Sequence, residues 1–284
     1  MNTTILSILL GIGGMLGWGI YDFLGGVFAK KIGSFNSLLW SQFSGLIFMI
    51  ALAVILTINV KITAILIFLL VIAAVFYSVG YLFFFKGFEI GNISIIAATM
   101  NIWVVFTMLF AFIFMGQRLS FMQTLGVFMI ISGATLASLN NQKLQLSAGV
   151  KETILGALFF GAFWNISEII SEEIGWLLTT LFVKLGIVLY LFLFSFIIKQ
   201  EINFTKISKK TQYMILLMGI IEAGAVAMVN YGLVIGDAIL VTPIASALSI
   251  VTISLAIIFL KEKITKIQGF GIITAITGII VTAF

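Results

Sequence analysis

Thr107–Gly133, TMLFAFIFMGQRLSFMQTLGVFMIISG, and Thr252–Gly278, TISLAIIFLKEKITKIQGFGIITAITG, are two copies of one segment set 145 residues apart. At that offset Thr107, Ala111, Ile113, Phe114, Gln123, Gly126, Ile131 and Gly133 fall on identical Thr252, Ala256, Ile258, Phe259, Gln268, Gly271, Ile276 and Gly278 without a gap. The match extends upstream, where Gly87, Ile90 and Gly91 fall on Gly232, Ile235 and Gly236. One further residue of shift lays Trp18-Gly19-Ile20-Tyr21-Asp22 over Trp164-Asn165-Ile166-Ser167-Glu168, keeping an aromatic residue, an isoleucine and an acid in place. The chain therefore reads as an internal duplication.

Both copies are built from long apolar runs. Of 284 residues, 62% are hydrophobic and 9% charged, and the mean hydropathy is +1.28. A soluble domain carries roughly 25% charged residues. A membrane-spanning helix needs about 20 mostly apolar residues, because each residue rises about 1.5 Å through a hydrocarbon core about 30 Å thick. That length predicts spans near 4–28, 36–58, 63–86, 92–115, 120–139, 153–173, 174–198, 212–234, 239–260 and 265–283. Continuous runs of this kind favour helices over the alternating short strands of a membrane β-barrel. The expected fold class is all-α integral membrane, with about ten transmembrane helices as two inverted five-helix repeats: an odd number per half makes the second copy enter the membrane the other way up. Residues 1–140 form the first repeat, 141–152 a polar connecting loop and 153–284 the second repeat.

Cysteine and histidine are both absent, which removes thiolate and imidazole metal ligands, disulfides and the usual imidazole base. No cofactor is expected, and no Gly-x-x-x-x-Gly-Lys-Ser/Thr phosphate loop for ATP is present. The first apolar segment lacks the basic start of a cleavable signal peptide and reads as a permanent helix. The net charge of +5 is spread over short loops, which argues against nucleic acid as a partner. The breaks after helices 1, 3, 5, 7 and 9 carry Lys30, Lys31, Lys86, Lys143, Lys151, Lys199, Lys206, Lys209, Lys210, Lys261, Lys263 and Lys266, against Lys61 and Arg118 on the other side. The positive-inside rule then places the first group in the cytoplasm and both termini outside a cell membrane.

Ionisable groups at membrane depth cost a few kcal/mol each (~2.5–3.5 on insertion scales), so they mark partners or pathways. Lys184 lies mid-way along the seventh helix and Glu222 mid-way along the eighth. Two roles are open to them: a charge pair that fixes helix register, or a site in which Lys184 binds an anionic group while Glu222 pairs with it or exchanges protons. Tyr77 occupies the first-repeat position equivalent to Glu222, so the site would be asymmetric on a symmetric scaffold. Asp22 and Glu168, toward the ends of helices 1 and 6, either gate opposite mouths of one pathway or sit in the headgroup zone, where Glu172 and Glu173 also fall. Trp18 and Trp164 either stack on a planar substrate or anchor the interface. Asn165 and Asn230 are further polar candidates, each able to serve as an interhelical hydrogen-bonding group. Gly13 with Gly17, and Gly271 with Ala275, give small-xxx-small faces for close helix approach. Pro243 removes a backbone donor near the start of helix 9, and either opens that helix or sits harmlessly in its first turn.

Leu16-Gly17-Trp18-Gly19, the run Phe114-Met115-Gly116-Gln117-Arg118-Leu119-Ser120 through Gln123 and Gly126, its copy Phe259-Leu260-Lys261-Glu262-Lys263-Ile264-Thr265 through Gln268 and Gly271, and Pro243 resemble the drug/metabolite transporter superfamily, specifically its EamA-type ten-helix carriers. The first copy departs from the pattern, with Ala98 for the proline and Gln117 for the usual acid. The resemblance implies a carrier with a central cavity between the repeats, working by alternating access. The leading expectation is a secondary exporter or exchanger of a small polar metabolite such as an amino acid, with proton coupling as one option. A sugar or drug facilitator or uptake carrier is the alternative. A membrane-embedded enzyme lacks a convergent catalytic cluster in the sequence, and a channel lacks a filter-like loop or charge ring.

Overall fold

The computed structural model of the chain describes residues 3–55, 63–114, 116, 120–140, 145–202, 204, 207–235, 244–245 and 247–282. Lys61, Gln117, Arg118, Lys143, Lys206, Gly236 and Pro243 lie outside the described residues. The first half comprises α1 (Thr3–Ile32), α2 (Ser34–Ile55), α3 (Ala64–Ile90), α4 (Ile93–Met100), α5 (Ile102–Phe114) and α6 (Phe121–Ser138). The second comprises α7 (Val150–Ile174), α8 (Trp176–Ile197), α9 (Lys209–Ile235), α10 (Leu248–Leu260) and α11 (Lys266–Thr282). Between the halves, a two-residue antiparallel bridge pairs Leu139 with Leu146 and Asn140 with Gln145.

Seven described segments are long and apolar enough to cross a membrane, with α4 and α5 together forming one of them, Ile93–Phe114. The shorter apolar helices Phe121–Ala137, Leu248–Leu260 and Lys266–Val281 complete the set. The protein is thus an all-α multi-pass membrane protein of about ten helices, arranged as two inverted five-helix repeats. Its outer surface is apolar, with Val54, Phe114, Phe121 and Ile197 largely exposed. Its interior holds buried Ser37, Ser41, Gln42, Ser78, Thr153 and Ser249. That distribution suits lipid: tails solvate leucine and phenylalanine as well as a core does, whereas hydroxyls must find partners inside. Ser78, Thr99 and Thr153 meet that need locally, donating to the carbonyls of Ala74, Ile95 and Gly149 one turn back.

The helix breaks explain the repeated motif. At the start of α6, Ser120 and Gln123 form a reciprocal capping box, with Ser120 N–H donating to Gln123 Oε1 at 2.8 Å and Gln123 N–H to Ser120 Oγ at 3.1 Å. Thr265 and Gln268 repeat it before α11 at 3.0 and 3.3 Å. Each box satisfies amide donors that the first helical turn leaves free. Gly33, with φ +84°, and Gly175, with φ +77°, each supply the one-residue reversal between consecutive helices, a left-handed conformation other residues resist.

The packing respects the duplication. α1 packs on α9 as α7 packs on α3, and α2 packs on α9 as α8 packs on α3. α2 meets its counterpart α8, and α6 meets its counterpart α11. In that last pair a Cβ on Gly133 would lie 2.7 Å from Gly271 O, one on Gly271 2.6 Å from Gly133 O, and one on Gly278 2.8 Å from Gly126 O. The contact is reciprocal, because Gly126 corresponds to Gly271 and Gly133 to Gly278. The glycines common to both copies are therefore the ones that let the last helices of the two halves touch backbone to backbone.

Two features depart from a bundle of simple rods. The fourth span is interrupted at Asn101, which separates α4 from α5 and donates from Nδ2 to Ser249 Oγ on α10 at 3.2 Å. In the ninth span Ala247 precedes α10 at nearly the equivalent place. Broken helices are tolerated at depth where protein surrounds them. The lysine-bearing breaks also gather on one face. Lys31 Nζ donates to Thr211 Oγ1 at 2.6 Å, Asn36 Nδ2 to Glu201 O at 3.3 Å, and Ser34 N–H to Glu89 Oε2 at 3.0 Å. Glu262 reaches across from the second half to accept from the N–H groups of Ile93 and Ser94 at 2.8 and 2.9 Å and from Ser94 Oγ at 2.8 Å. A carboxylate there caps the positive end of α4.

Candidate functional site

Where α2 and α3 of the first half meet α8 and α9 of the second, the chain buries a polar network. Lys184, on α8, is 3% exposed and Glu222, on α9, is also 3% exposed. The ammonium of Lys184 forms an ion pair with Glu222 Oε2 and donates to Gln42 Oε1 on α2 at 3.0 Å. Gln42 Nε2 faces two phenol oxygens, Tyr21 OH at 2.9 Å and Tyr77 OH at 3.2 Å. Tyr77 OH donates to Glu222 Oε1 at 3.3 Å, closing a ring of hydrogen bonds. The Tyr21 and Ser41 hydroxyls lie 3.4 Å apart on its edge. Gly45 makes room for the lysine: a Cβ there would come 3.4 Å from Nζ.

This placement has a physical reason. Each buried ion would cost several kcal/mol unpaired, a penalty on the order of the attraction that a well hydrogen-bonded partner returns. Gln42 accepts from the ammonium and Tyr77 donates to the carboxylate, so each charge has a second partner at depth. Tyr77 stands where the duplication would otherwise place a second acid, and it meets that acid's equivalent directly.

Aromatic rings wall the network. Tyr77 stacks on Tyr81 with centroids 4.6 Å apart, and Tyr81 meets Tyr21 and Phe160 edge-on at 5.9 and 5.0 Å. Phe160 and Phe163 bracket Tyr77 from α7. The cluster continues to Trp164, which stacks on Trp103 at 5.8 Å; its Nε1 has no hydrogen-bond partner among the described residues.

The remaining candidates scatter. Asp22 is buried on α1, 3% exposed, within electrostatic reach of Glu222 and Tyr81. Its repeat counterpart Glu168 is exposed on α7 and interacts with Glu172. Trp18 is half-buried against Val229 and Ala245. Asn165 donates from Nδ2 to Thr107 O at 3.1 Å and Gly161 O at 3.0 Å, tying α7 to α5. Asn230 is half-buried on α9. Gln42, Tyr21, Tyr81 and Ser41 belong to the network but were not among the residues the sequence singled out. No sequence signal marks them, since uncharged polar residues occur in most helices. Among the described residues no cluster of three or more acidic side chains suited to a metal ion occurs.

The sequence profile of the EamA-like transporter family matches residues 5–139 and again 148–284. An uncharacterized protein of Methanocaldococcus jannaschii is 29% identical over 130 residues, which span 45% of this chain and 90% of that protein. A crystal structure superposes with a TM-score of 0.68 at 15% identity, covering 97% of this chain and 95% of its own; that likeness is one of fold.

Proposed function

Because the chain belongs to the EamA-like transporter family, we propose that it is a secondary carrier exporting or exchanging a small polar metabolite, such as an amino acid, by alternating access. Membership points to transport across a bilayer rather than to an enzyme. The observation that carries the finer reading is the Lys184–Glu222–Gln42–Tyr77 ring, which joins both halves at membrane depth. A network shared between two inverted bodies changes whenever those bodies rock against each other, which couples what it binds to which side is open.

In this reading residues 1–140 and 153–284 are the moving halves, linked by 141–152, in a cell membrane with the lysine-rich face in the cytoplasm and both termini outside. Lys184, Glu222 and Tyr77 form the central site, with Asp22, Trp18, Trp164, Asn165 and Asn230 lining the approach and Glu168 at its mouth. Glu222 is the group that would exchange protons if transport is proton-coupled. Counterflow in proteoliposomes tests this. A radiolabelled amino acid should accumulate against a preloaded unlabelled pool, and Glu222→Gln should abolish any dependence of that flux on a pH gradient. Ohmic current without counterflow would overturn the carrier reading.

A further inference from the structure

We propose that Glu262 is a latch that holds the lysine-rich face shut by pinning the end of α10 to the head of α4. The inference rests on the carrier reading and says how one of its two openings is kept closed. α4, from the first half, starts just after the Lys86 break, and α10, from the second, ends at Lys261. They are the lysine-side parts of the interrupted fourth and ninth spans, and they pack against each other. Two fastenings join them. Near the breaks Asn101 Nδ2 donates to Ser249 Oγ at 3.2 Å, and at the face Glu262 accepts from Ile93 and Ser94. Residues at helix ends can absorb the rotation of a hinge, so the face opens when the outer ends of α4 and α10 part. What ties those ends is the Glu262 carboxylate.

Glu262 stands between Lys261 and Lys263, yet the ion pairs among the described residues are Lys86–Glu89 and Lys184–Glu222. Its two oxygens instead take three donors from the other half: Ile93 N–H on Oε1, and Ser94 N–H with Ser94 Oγ on Oε2. Ile93 and Ser94 are both fully buried. The backbone bends to make this reach. Lys261 leaves α10 with φ +53°, a left-handed conformation for which the first copy uses Gly116, φ +67°. The duplication does not repeat the chemistry of the contact. Glu262 and Ser94 correspond to Gln117 and Ile239, both outside the described residues, so the equivalent place on the opposite face offers neither the acid nor the hydroxyl. A contact needed only to build the fold would keep its chemistry in both copies.

Glutamine keeps the length of the side chain but offers one oxygen where the carboxylate offers two, and it turns an amide toward donors. Glu262→Gln therefore loses at least one of the three bonds and the charge assistance of the others, which shifts the population toward the open face. The chain has no cysteine, so a single introduced thiol reports opening. Ser94 and Asn101 both reach α10, and Ala97, 3% exposed, lies three and four residues from them on the same helix face. Ala98→Cys, at a position 0% exposed, is a second reporter on that stretch. A water-soluble maleimide, kept dilute so that reclosing outpaces reaction, labels the purified protein in detergent in proportion to the open population. Glu262→Gln should speed labelling of Ala97→Cys at least about fivefold, and Ser94→Ala should speed it by less. Ala73→Cys, on α3 at a position 0% exposed, should label at the same rate with and without Glu262→Gln. An unchanged rate at both α4 thiols, or an equal gain at Ala73→Cys, would overturn the latch. Counterflow of a radiolabelled amino acid keeps the two readings apart. Flux with labelling unmoved by Glu262→Gln keeps the carrier and removes the latch, whereas faster labelling in a protein that carries no solute keeps the latch and removes the carrier.

Discussion

Glu222→Gln preserves the size of the side chain and removes its charge, leaving Lys184, 3% exposed, to neutral partners such as Gln42 Oε1 at 3.0 Å. Removing one member of a buried pair costs about 3–5 kcal/mol, because the other charge stays buried and uncompensated. For a chain of this size each kcal/mol lowers the midpoint by about 2 °C, so Tm should fall by roughly 6–10 °C. Lys184→Met should do the same from the other side. The double variant carries neither charge, so its Tm should lie above both single variants, with a coupling of about 2 kcal/mol or more. Thermal unfolding of the four detergent-purified proteins measures this directly. Additive losses, or a single-variant shift under about 2 °C, would refute the view that the pair is satisfied only as a pair.

Tyr77→Phe removes the hydroxyl that donates to Glu222 and accepts from Gln42; it should cost about 1–3 kcal/mol, read as a lower Tm. Gly271→Val places its side chain against Ala137 and Gly133 and should destabilise by about 1–3 kcal/mol or more. Gly224→Ala meets nothing within 4 Å and should gain up to about 1 kcal/mol, so equal midpoints for the two glycine variants would contradict the packing. Glu262→Gln weakens the cap on α4 and should cost about 1 kcal/mol by the same assay. The chain has no cysteine, so single cysteines at Lys151 and Glu173 report sidedness. A membrane-impermeant maleimide should label Glu173→Cys in intact cells and Lys151→Cys only after lysis.

Span lengths, the duplication and the helix count were readable because apolar length and repeated glycines are one-dimensional signals. Lys184 and Glu222 were visible for a related reason: a charge in the middle of an apolar run has few explanations. Gln42 and Tyr21 were not, since uncharged polar groups occur in most helices and only three-dimensional proximity separates those that meet a charge. The break at Asn101 carries no proline to announce it; Ala98 stands where the second copy has Pro243. Counting along α1 and α7 put Asp22 and Glu168 at like heights, but burial depends on which way a helix face turns. One acid faces the interior and the other the outside. Glu262 read as a loop residue of a motif, while its role as a cap on the opposite half depends on a contact 169 residues away in sequence.

The reciprocal seam of α6 and α11 has a consequence for how freely each copy can change. A residue such as Gly133 presses on Gly271, the counterpart of its own neighbour Gly126, so enlarging either glycine strains the same joint from one side or the other. Tyr77 and Glu222 are counterparts too, but they meet side chain to side chain, Tyr77 OH donating to Glu222 Oε1, with no backbone contact to limit what either becomes. The glycine seam holds the two copies to a common shape, and the side-chain-lined interior is where a duplicated chain is free to become two different things.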